Sequence, residues 1–433
     1  MSGGLARLPA GAPAPVRPRH TRQDVRQPRA AMLYNALIVA TDSFPVRADS
    51  RRQLGIPARR TDGAVRAVRL ERVPAGPARA LVELMNAAGG CAQAAADRQS
   101  GERIVLLQGD GDHYHRFLES TSRRAATRDA AGEVRDVLMR ATTRPLALAL
   151  ARGRLTFGQR TLIMGVLNVT PDSFSDGGLY VEPDRAAEHA LEMARAGADL
   201  IDIGGESTRP GAVPVPLKEE LRRVIPALEA VVSAIAALPL RRPLLSVDTR
   251  KAEVARRAAA AGADLINDIS GLTHDPAMAA VVAESGLPVV IQHIRGTPRT
   301  MQANPRYAHL LPEIAAFLRA RIETIVRAGV REDKIIVDPG IGFGKRRRDN
   351  LAILRHLRTL TSLGRPILVG ASRKSFLKGE GETPPTDRLE GSLAAEALAI
   401  AGGADIIRVH DVRESARVAS LCDAVLRDPV AGR

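Results

Sequence analysis

Residues 194–203 read ARAGADLIDI, and the phrase returns as AAAGADLINDI at 259–269 and as AIAGGADIIRV at 399–409. Each copy joins an Ala-rich helix end to a glycine (Gly197, Gly262 or Gly403) suited to the left-handed position past a helix, then to an aspartate that leads into a β run. A helix handing over to a strand through so short a turn is half of a β/α unit. Working outward, eight short apolar runs alternate with amphipathic segments: LIMGVLN, LIDIGG, LLSVDT, LINDIS, PVVIQHI, IIVDPG, ILVGAS and IIRVHD, starting near 162, 200, 244, 265, 288, 335, 367 and 406. Eight strands, each followed by a helix-like stretch, describe an α/β chain whose main domain is a (β/α)8 TIM barrel of about 250 residues. A doubly wound open sheet is the alternative; the count of eight and the absence of GxGxxG after the first run favour closure.

Composition agrees. The 433 residues are 45% hydrophobic but only 3% aromatic with no Trp, so the core rests on Ala, Val, Leu and Ile. The net charge of +15 is uneven: residues 1–155 hold 26 arginines against 14 acidic residues, a balance of +12, which leaves +3 for the rest. Those arginines are scattered, with no interleaved aromatics or nucleic-acid motif, so they read as a solvated surface and no nucleic-acid partner is expected. Cys91 and Cys422 lack metal-ligand spacing and imply neither a disulfide framework nor a zinc site. No run of about 18 apolar residues occurs, so the expectation is a soluble, cytoplasmic protein with no membrane partner.

Three segments follow. Residues 1–31, rich in Pro, Ala and Arg, read as a disordered leader, with Met32 an alternative start. Residues 32–155 read as a small α/β module, in which LYNALIVA, AVRAVRLERV and RIVLLQG are β-like while GPARALVELMNAAGG and DHYHRFLESTSRR are helix-like. His113 and His115 form an H-x-H pair that reads as ordinary surface, because no third ligand is near. The barrel takes 156–428.

Polar residues gather at the C-terminal ends of the barrel runs: Asn168, Asp202 and Glu206, Asp248, Asn267, His293, Asp338, Ser372 and Arg373, Arg408 and His410. In a barrel these ends form one rim, where active sites are built. Asp248 alone could be a cap for the helix after it; the pattern across most strands argues for a site. Asp248, Asn267, Asp338 and Lys374 suit the donor and acceptor edge of a flat heterocycle. Arg373, Arg408 and His410 stand where barrels bind phosphate, with Arg209 adding a cation from the second loop. A phosphorylated heterocycle fits both, and a pyrophosphate brings Mg²⁺, a hard ion suited to Asn168 and the Asp-rich loop after it.

The segments NVTPDSFSDGG, IDIGGESTRPGA, SVDTRK, LINDISG, HIRGTP, VDPGIGFGK, GASRKSF and RVHD, in this order across 162–411, resemble the dihydropteroate synthase family. The resemblance implies condensation of 6-hydroxymethyl-7,8-dihydropterin diphosphate with 4-aminobenzoate, pyrophosphate leaving before the amine attacks. By motif, it implies that Asp248, Asn267, Asp338 and Lys374 hold the pterin, and that Asn168, Arg209, Arg408 and His410 hold the diphosphate. Thr208, Pro210, Phe174, Phe343, Ser372 and Lys374 would form the 4-aminobenzoate pocket. Asn168 and Asp176 would bind Mg²⁺, and the protein would be a homodimer through barrel helices. Ile294 stands where the family often has Met, and residues 1–155 lie outside the family's core pattern, although some longer members carry a run like residues 68–90.

Two other readings are open. A related pterin-binding barrel moves methyl groups from methyltetrahydrofolate to a corrinoid protein, but has no need of Arg209, Arg373, Arg408 and His410. A degenerate barrel could serve an Arg-rich adaptor, but would have no need of an intact rim.

Overall fold

The structure is a computed structural model and describes residues 35–39, 66–97, 100–142, 147–150, 153–170, 183–238, 242–378 and 384–427. The leader assigned to 1–31, and the loop carrying Phe174 and Asp176, lie outside the described residues.

The N-terminal module is an antiparallel sheet of β1 (Asn35–Val39), β2 (Arg66–Val73), β3 (Cys91–Ala96) and β4 (Arg103–Gly109), in the order β1-β2-β4-β3. Helices Ala75–Ala87, Gly111–Ser122 and Ala125–Thr142 share its core of Val68, Leu70, Leu81, Met85, Leu107, Phe117 and Val134. His113 has a structural task here: its Nδ1 accepts from the Asp110 amide while Asp110 accepts from the His113 amide, a reciprocal helix cap.

A two-stranded hairpin follows, β5 (Ala147–Leu150) and β6 (Gly153–Thr156). It packs with the barrel: Leu148, Leu155 and Phe157 cluster with Leu162, Met164, Leu200, Leu265, Val290, Ile336, Leu368 and Ile406. The barrel's packing therefore starts near Ala147, inside the segment assigned above to the module, because an open barrel end needs an apolar plug.

The barrel strands are β7 (Leu162–Asn168), β8 (Leu200–Gly204), β9 (Leu244–Asp248), β10 (Leu265–Asp268), β11 (Val289–Gln292), β12 (Ile335–Asp338), β13 (Leu368–Val369) and β14 (Ile406–Val409). They form one parallel sheet, β12-β11-β10-β9-β8-β7-β14-β13, closed by the Val337–Ile367 bridge. Closure excludes the open-sheet alternative. Side chains alternate between faces: Ile201, Ile203, Leu245, Val247, Ile266, Val289, Ile291, Val337, Ile407 and Val409 face outward into the core shared with the helices.

The opening repeat builds the lower rim. Gly197, Gly262 and Gly403 have φ of 102°, 103° and 95°, as a left-handed turn requires. The aspartates then tie neighbouring strands together: Asp199 accepts from the Ile163 amide at 2.9 Å, Asp264 from Leu245 at 2.9 Å and Asp405 from Ile367 at 2.7 Å. At this end the repeated geometry serves stability, which leaves the opposite end for chemistry.

Candidate active site

The plug and the alternation together place the site. Two residues beyond the apolar floor of Leu200, Leu244, Leu265, Ile336 and Ile406, the same inward face carries Asp202, Ser246, Asn267, Asp338 and Arg408. Asp202 lies at the centre and is 0% exposed. Its Oδ2 accepts from Arg408 Nε at 2.6 Å and Asn267 Nδ2 at 2.9 Å, joining strands that are not neighbours in the sheet. Arg408 Nη2 donates to Asp248 Oδ2 at 2.9 Å. These bonds use two of the guanidinium's five N–H donors and leave the remainder for a ligand. Among the described residues Asp202 Oδ1 and Ser246 Oγ are buried without a hydrogen bond, on residues paired in register, so the floor has polar capacity to offer.

Burial pushes the Asp248 carboxyl up to about 7; Arg408 opposes the rise, while Asp202, Glu220 and Asp268 add to it. Burial also raises Asp338, against the pull of Lys374 and of the Gly340 amide, which donates to Asp338 Oδ1 at 2.6 Å. Lys374 is brought down to about 8 by burial, with Asp338 holding it from falling further. Its Nζ donates to the Ile341 carbonyl at 2.5 Å and stands 4.6 Å from the centre of the Phe343 ring. The turn that holds Phe343 needs glycine, since a Cβ on Gly340 (φ 68°) would come within 1.9 Å of the His293 carbonyl. Phe343 packs with Ile269, Met301 and Ile294 into an apolar wall on the rim.

Asp248 is no helix cap: the following helix, Ala252–Ala261, has Lys251 at its N-cap position, and the Ala252 amide donates to Asp275 at 2.8 Å. Ser372 and His410 meet, with Ser372 Oγ 3.1 Å from His410 Nδ1. Two readings of positive charge are corrected. Burial, then Arg408 and Arg373, pull His410 down to about 3, so it stands as a neutral imidazole rather than a cation. Arg373, at φ 58°, turns to Asp411, with Nε donating at 3.0 Å, and its charge is spent in that pair rather than offered to phosphate.

Asn168 ends β7, half-buried, in register with Gly204, which is in turn in register with Asp248. Thr208 is half-buried, and Arg209 and Pro210 are exposed, on the loop after β8. None of these four bonds to the Asp202 cluster, but their loop is anchored. Glu206 accepts from Arg250 Nη2 and Lys251 Nζ, both at 2.7 Å, and from the Val215 amide at 3.2 Å on the loop's far side. Burial works against its charge, but the hydrogen bonds from Arg250 and Lys251 outweigh it and hold Glu206 below the usual range. Lys251 also pairs with the fully buried Glu220, which accepts from Thr249 Oγ1 at 2.6 Å. The Gly211 amide reaches the Pro298 carbonyl at 3.2 Å, joining the second and fifth loops.

Sequence reasoning placed Asp202 on the rim without giving it a role; its alternation with the plug residue Leu200 was the available signal. Lys345 was missed. It is 2% exposed, with Nζ 2.9 Å from His293 Nδ1 and 3.0 Å from the Phe343 carbonyl. Burial pulls its ammonium well below the usual range.

A closed barrel with an apolar plug, paired acids and amide on its inner face and cations at the upper rim has the donors and acceptors to hold a flat polar heterocycle, and a sequence profile of the pterin binding enzymes matches residues 164–410. The chain belongs to that family. Within it the likeness is to the dihydropteroate synthases: that of Synechocystis sp. is 46% identical over 287 residues, covering 65% of this chain and 96% of the relative. That of Bacillus subtilis is 48% identical, covering 63% and 91%. The Xanthomonas albilineans dihydropteroate synthase solved with 4-aminobenzoic acid is 45% identical, covers 66% of this chain and all of its own, and superposes with a TM-score of 0.60. The barrel is thus that of a transferase of the dihydropteroate synthase type.

Proposed function

We propose that the chain condenses 6-hydroxymethyl-7,8-dihydropterin diphosphate with 4-aminobenzoate, giving 7,8-dihydropteroate and pyrophosphate in folate biosynthesis. The observation that carries this reading is the Asp202–Arg408–Asp248 arrangement with Asn267 beside it, all on one inward face. Carboxylates and an amide there meet the N–H and carbonyl edge of a pterin, and Asp338 with Lys374 meets it from the far side. Arg408 lies between pterin and leaving group, its unspent donors directed to the diphosphate. Neutral His410, with Ser372, donates to a phosphate oxygen; an anion arriving there draws its proton affinity upward. Arg209 adds an exposed charge from the rim. Thr208, Pro210, Phe343, Ser372 and the Lys374 stem frame the 4-aminobenzoate.

The chemistry asks for stabilisation of a leaving pyrophosphate and of positive charge spread over the pterin. Ionised Asp338 and Asp248 supply the second. A strong general base is not needed, because the arylamine reaches the site neutral. Mg²⁺ is part of the proposal: the hard amide oxygen of Asn168, one ligand beside substrate phosphates, fits an ion that keeps several waters and binds few protein groups. Bound there, the ion would supply charge neutralisation for the leaving group, with Asn168 holding it. Asp176 completes the set in the motif-based reading.

The same reading takes small molecules, not nucleic acid, as partners, and a homodimer in the cytoplasm. Supporting the dimer, Leu351, Leu398, Leu421, Val425 and Leu426 are 42–72% exposed on helices Arg347–Arg355, Leu389–Ala401 and Val412–Leu426. No helix among the described residues is long and apolar enough to cross a membrane. The test is Mg²⁺-dependent release of pyrophosphate from the pterin diphosphate, with formation of 7,8-dihydropteroate that depends on 4-aminobenzoate. Corrinoid-dependent methyl transfer in its place would favour the methyltransferase reading.

A further inference from the structure

The N-terminal module takes no part in that chemistry, yet it is joined to the barrel at a telling place. Leu37 of β1, 1% exposed, belongs to the barrel's outer core. Arg319, on helix Leu310–Arg327 and 7% exposed, donates from Nη2 to the Ala36 carbonyl at 2.9 Å. Arg140 Nε donates to the Ser362 carbonyl at 3.2 Å. These contacts seat the module against the 3-10 segment Leu357–Leu363 and against helix Leu310–Arg327, which the chain enters from the rim loop after β11.

At the start of that helix the module makes one more contact. Asp97, past the end of β3, lies 3.5 Å from Nε2 of His309, a buried ring nitrogen with no hydrogen bond among the described residues. His309 occupies the N-cap position without capping. Glu313 does that work, accepting from the Ala308 and His309 amides at 2.7 and 2.9 Å with Oε1 and from Arg295 Nη2 at 2.7 Å with Oε2. Arg295 stacks 4.1 Å from the Tyr307 ring centre, and the Tyr307 hydroxyl donates to the Gly344 carbonyl at 2.8 Å. Gly344 lies between Phe343 and Lys345. An unbroken path of contacts thus runs from the module to the wall of the pocket.

We propose that the module is a positioning element for the catalytic rim: Asp97, through His309, holds the entry to helix Leu310–Arg327 so that Arg295, Tyr307 and the Phe343–Lys345 turn stand ready for 4-aminobenzoate. The substrate named here rests on the proposed function; the loop's dependence on the module does not. A single partly buried polar contact is worth enough to tune a loop without deciding whether the barrel folds.

The test uses the full chain as D97A, H309A and the double variant, followed by hydrogen exchange, steady-state kinetics and thermal unfolding. Each single variant is expected to speed exchange in residues 294–309. Each should raise the KM for 4-aminobenzoate by about two- to fivefold, the range of one such pair, with kcat and the KM for the pterin diphosphate unchanged. In exchange over 294–309 and in that KM the double variant should do no more than the larger single, because at helix Leu310–Arg327 both remove the same contact, although D97A also frees Ser100 Oγ. Unchanged exchange in 294–309 overturns the proposal, as do additive effects in the double variant. A lowered Tm with unaltered exchange and KM also overturns it, since the module would then serve stability alone. If the unmodified chain releases no pyrophosphate, the proposed function fails while the exchange measurement still decides this one.

Discussion

Replacing Arg408 with methionine keeps most of its aliphatic bulk and removes the charge that two buried carboxylates share. Asp202 is 0% and the Asp248 side chain 9% exposed, and both bond to the guanidinium within 3 Å, at 2.6 and 2.9 Å. Each such contact is worth about 4 kcal/mol gross at an effective dielectric near 20, most of it offset by the desolvation already incurred. Taking the cation away leaves that desolvation uncompensated, a loss of about 3–5 kcal/mol. In a barrel of this size, the Tm should fall by about 6–20 °C. Protonation relieves part of the cost. The Asp248 carboxyl, at about 7 with Arg408 present, rises further without it, so the variant takes up a proton and the penalty is smaller at pH 6 than at pH 8. The assay is thermal or urea unfolding of R408M and the unmodified chain at both pH values, with turnover alongside. Turnover on the diphosphate substrate should fall further than binding of the bare pterin, which keeps Asn267 and Asp338. A loss below about 1 kcal/mol at pH 8, or one that does not shrink at pH 6, refutes the charge-sharing role; equal losses of turnover and pterin binding refute the diphosphate role.

Three other outcomes follow. Pterin recognition needs Asp248 ionised and Lys374 charged, and burial places them at about 7 and about 8, so kcat/KM should trace a narrow bell with limbs near those values. D248N should abolish the acid limb, and a flat profile from pH 6 to 9 would contradict this. For stability the sign for Asp248 is opposite: its folded carboxyl sits above the unfolded value of about 3.9, so its contribution is full below pH 4 and is lost as pH rises through 7. E206Q should release the second loop from Arg250 and Lys251 and raise the KM for 4-aminobenzoate about tenfold with little change for the pterin; equal changes in both would show a general disturbance. Chelation should stop turnover, Mg²⁺ should restore it, and N168A should raise the Mg²⁺ needed for half-maximal rate; an unchanged requirement would take Asn168 out of the metal site.

The barrel was legible because the apolar run recurs eight times and three of those runs share the same GAD approach. All eight apolar runs became strands, and the three GAD turns became left-handed helix ends whose aspartates lock the lower rim. The module was harder. β1, β2 and β4 and two helices stood out, but β3 reads CAQAAA, with no β-branched residue, and forms only because β4 offers it an edge. Helix Ala125–Thr142 lies in an Arg-rich stretch whose buried apolar positions are Ala130, Ala131, Val134 and Val137, with Leu138 half-buried and Met139 exposed. The plug hairpin was invisible as such, since nothing local in LALALARGRLT says that it will close a barrel.

In the site, residue types were readable and their electrostatics were not. Arg373 and His410 look like cations in sequence, and only the packed structure shows that Asp411 takes the first and that burial neutralises the second. Lys345 gave no sequence sign of being buried, because its partner His293 stands 52 residues away.

The most direct test is pyrophosphate release by the purified full-length chain given 6-hydroxymethyl-7,8-dihydropterin diphosphate, 4-aminobenzoate and Mg²⁺. A dihydropteroate synthase releases one pyrophosphate for each 7,8-dihydropteroate formed, and omitting 4-aminobenzoate removes the pteroate product. No release above the protein-free blank, with both substrates and Mg²⁺ present, would contradict the function.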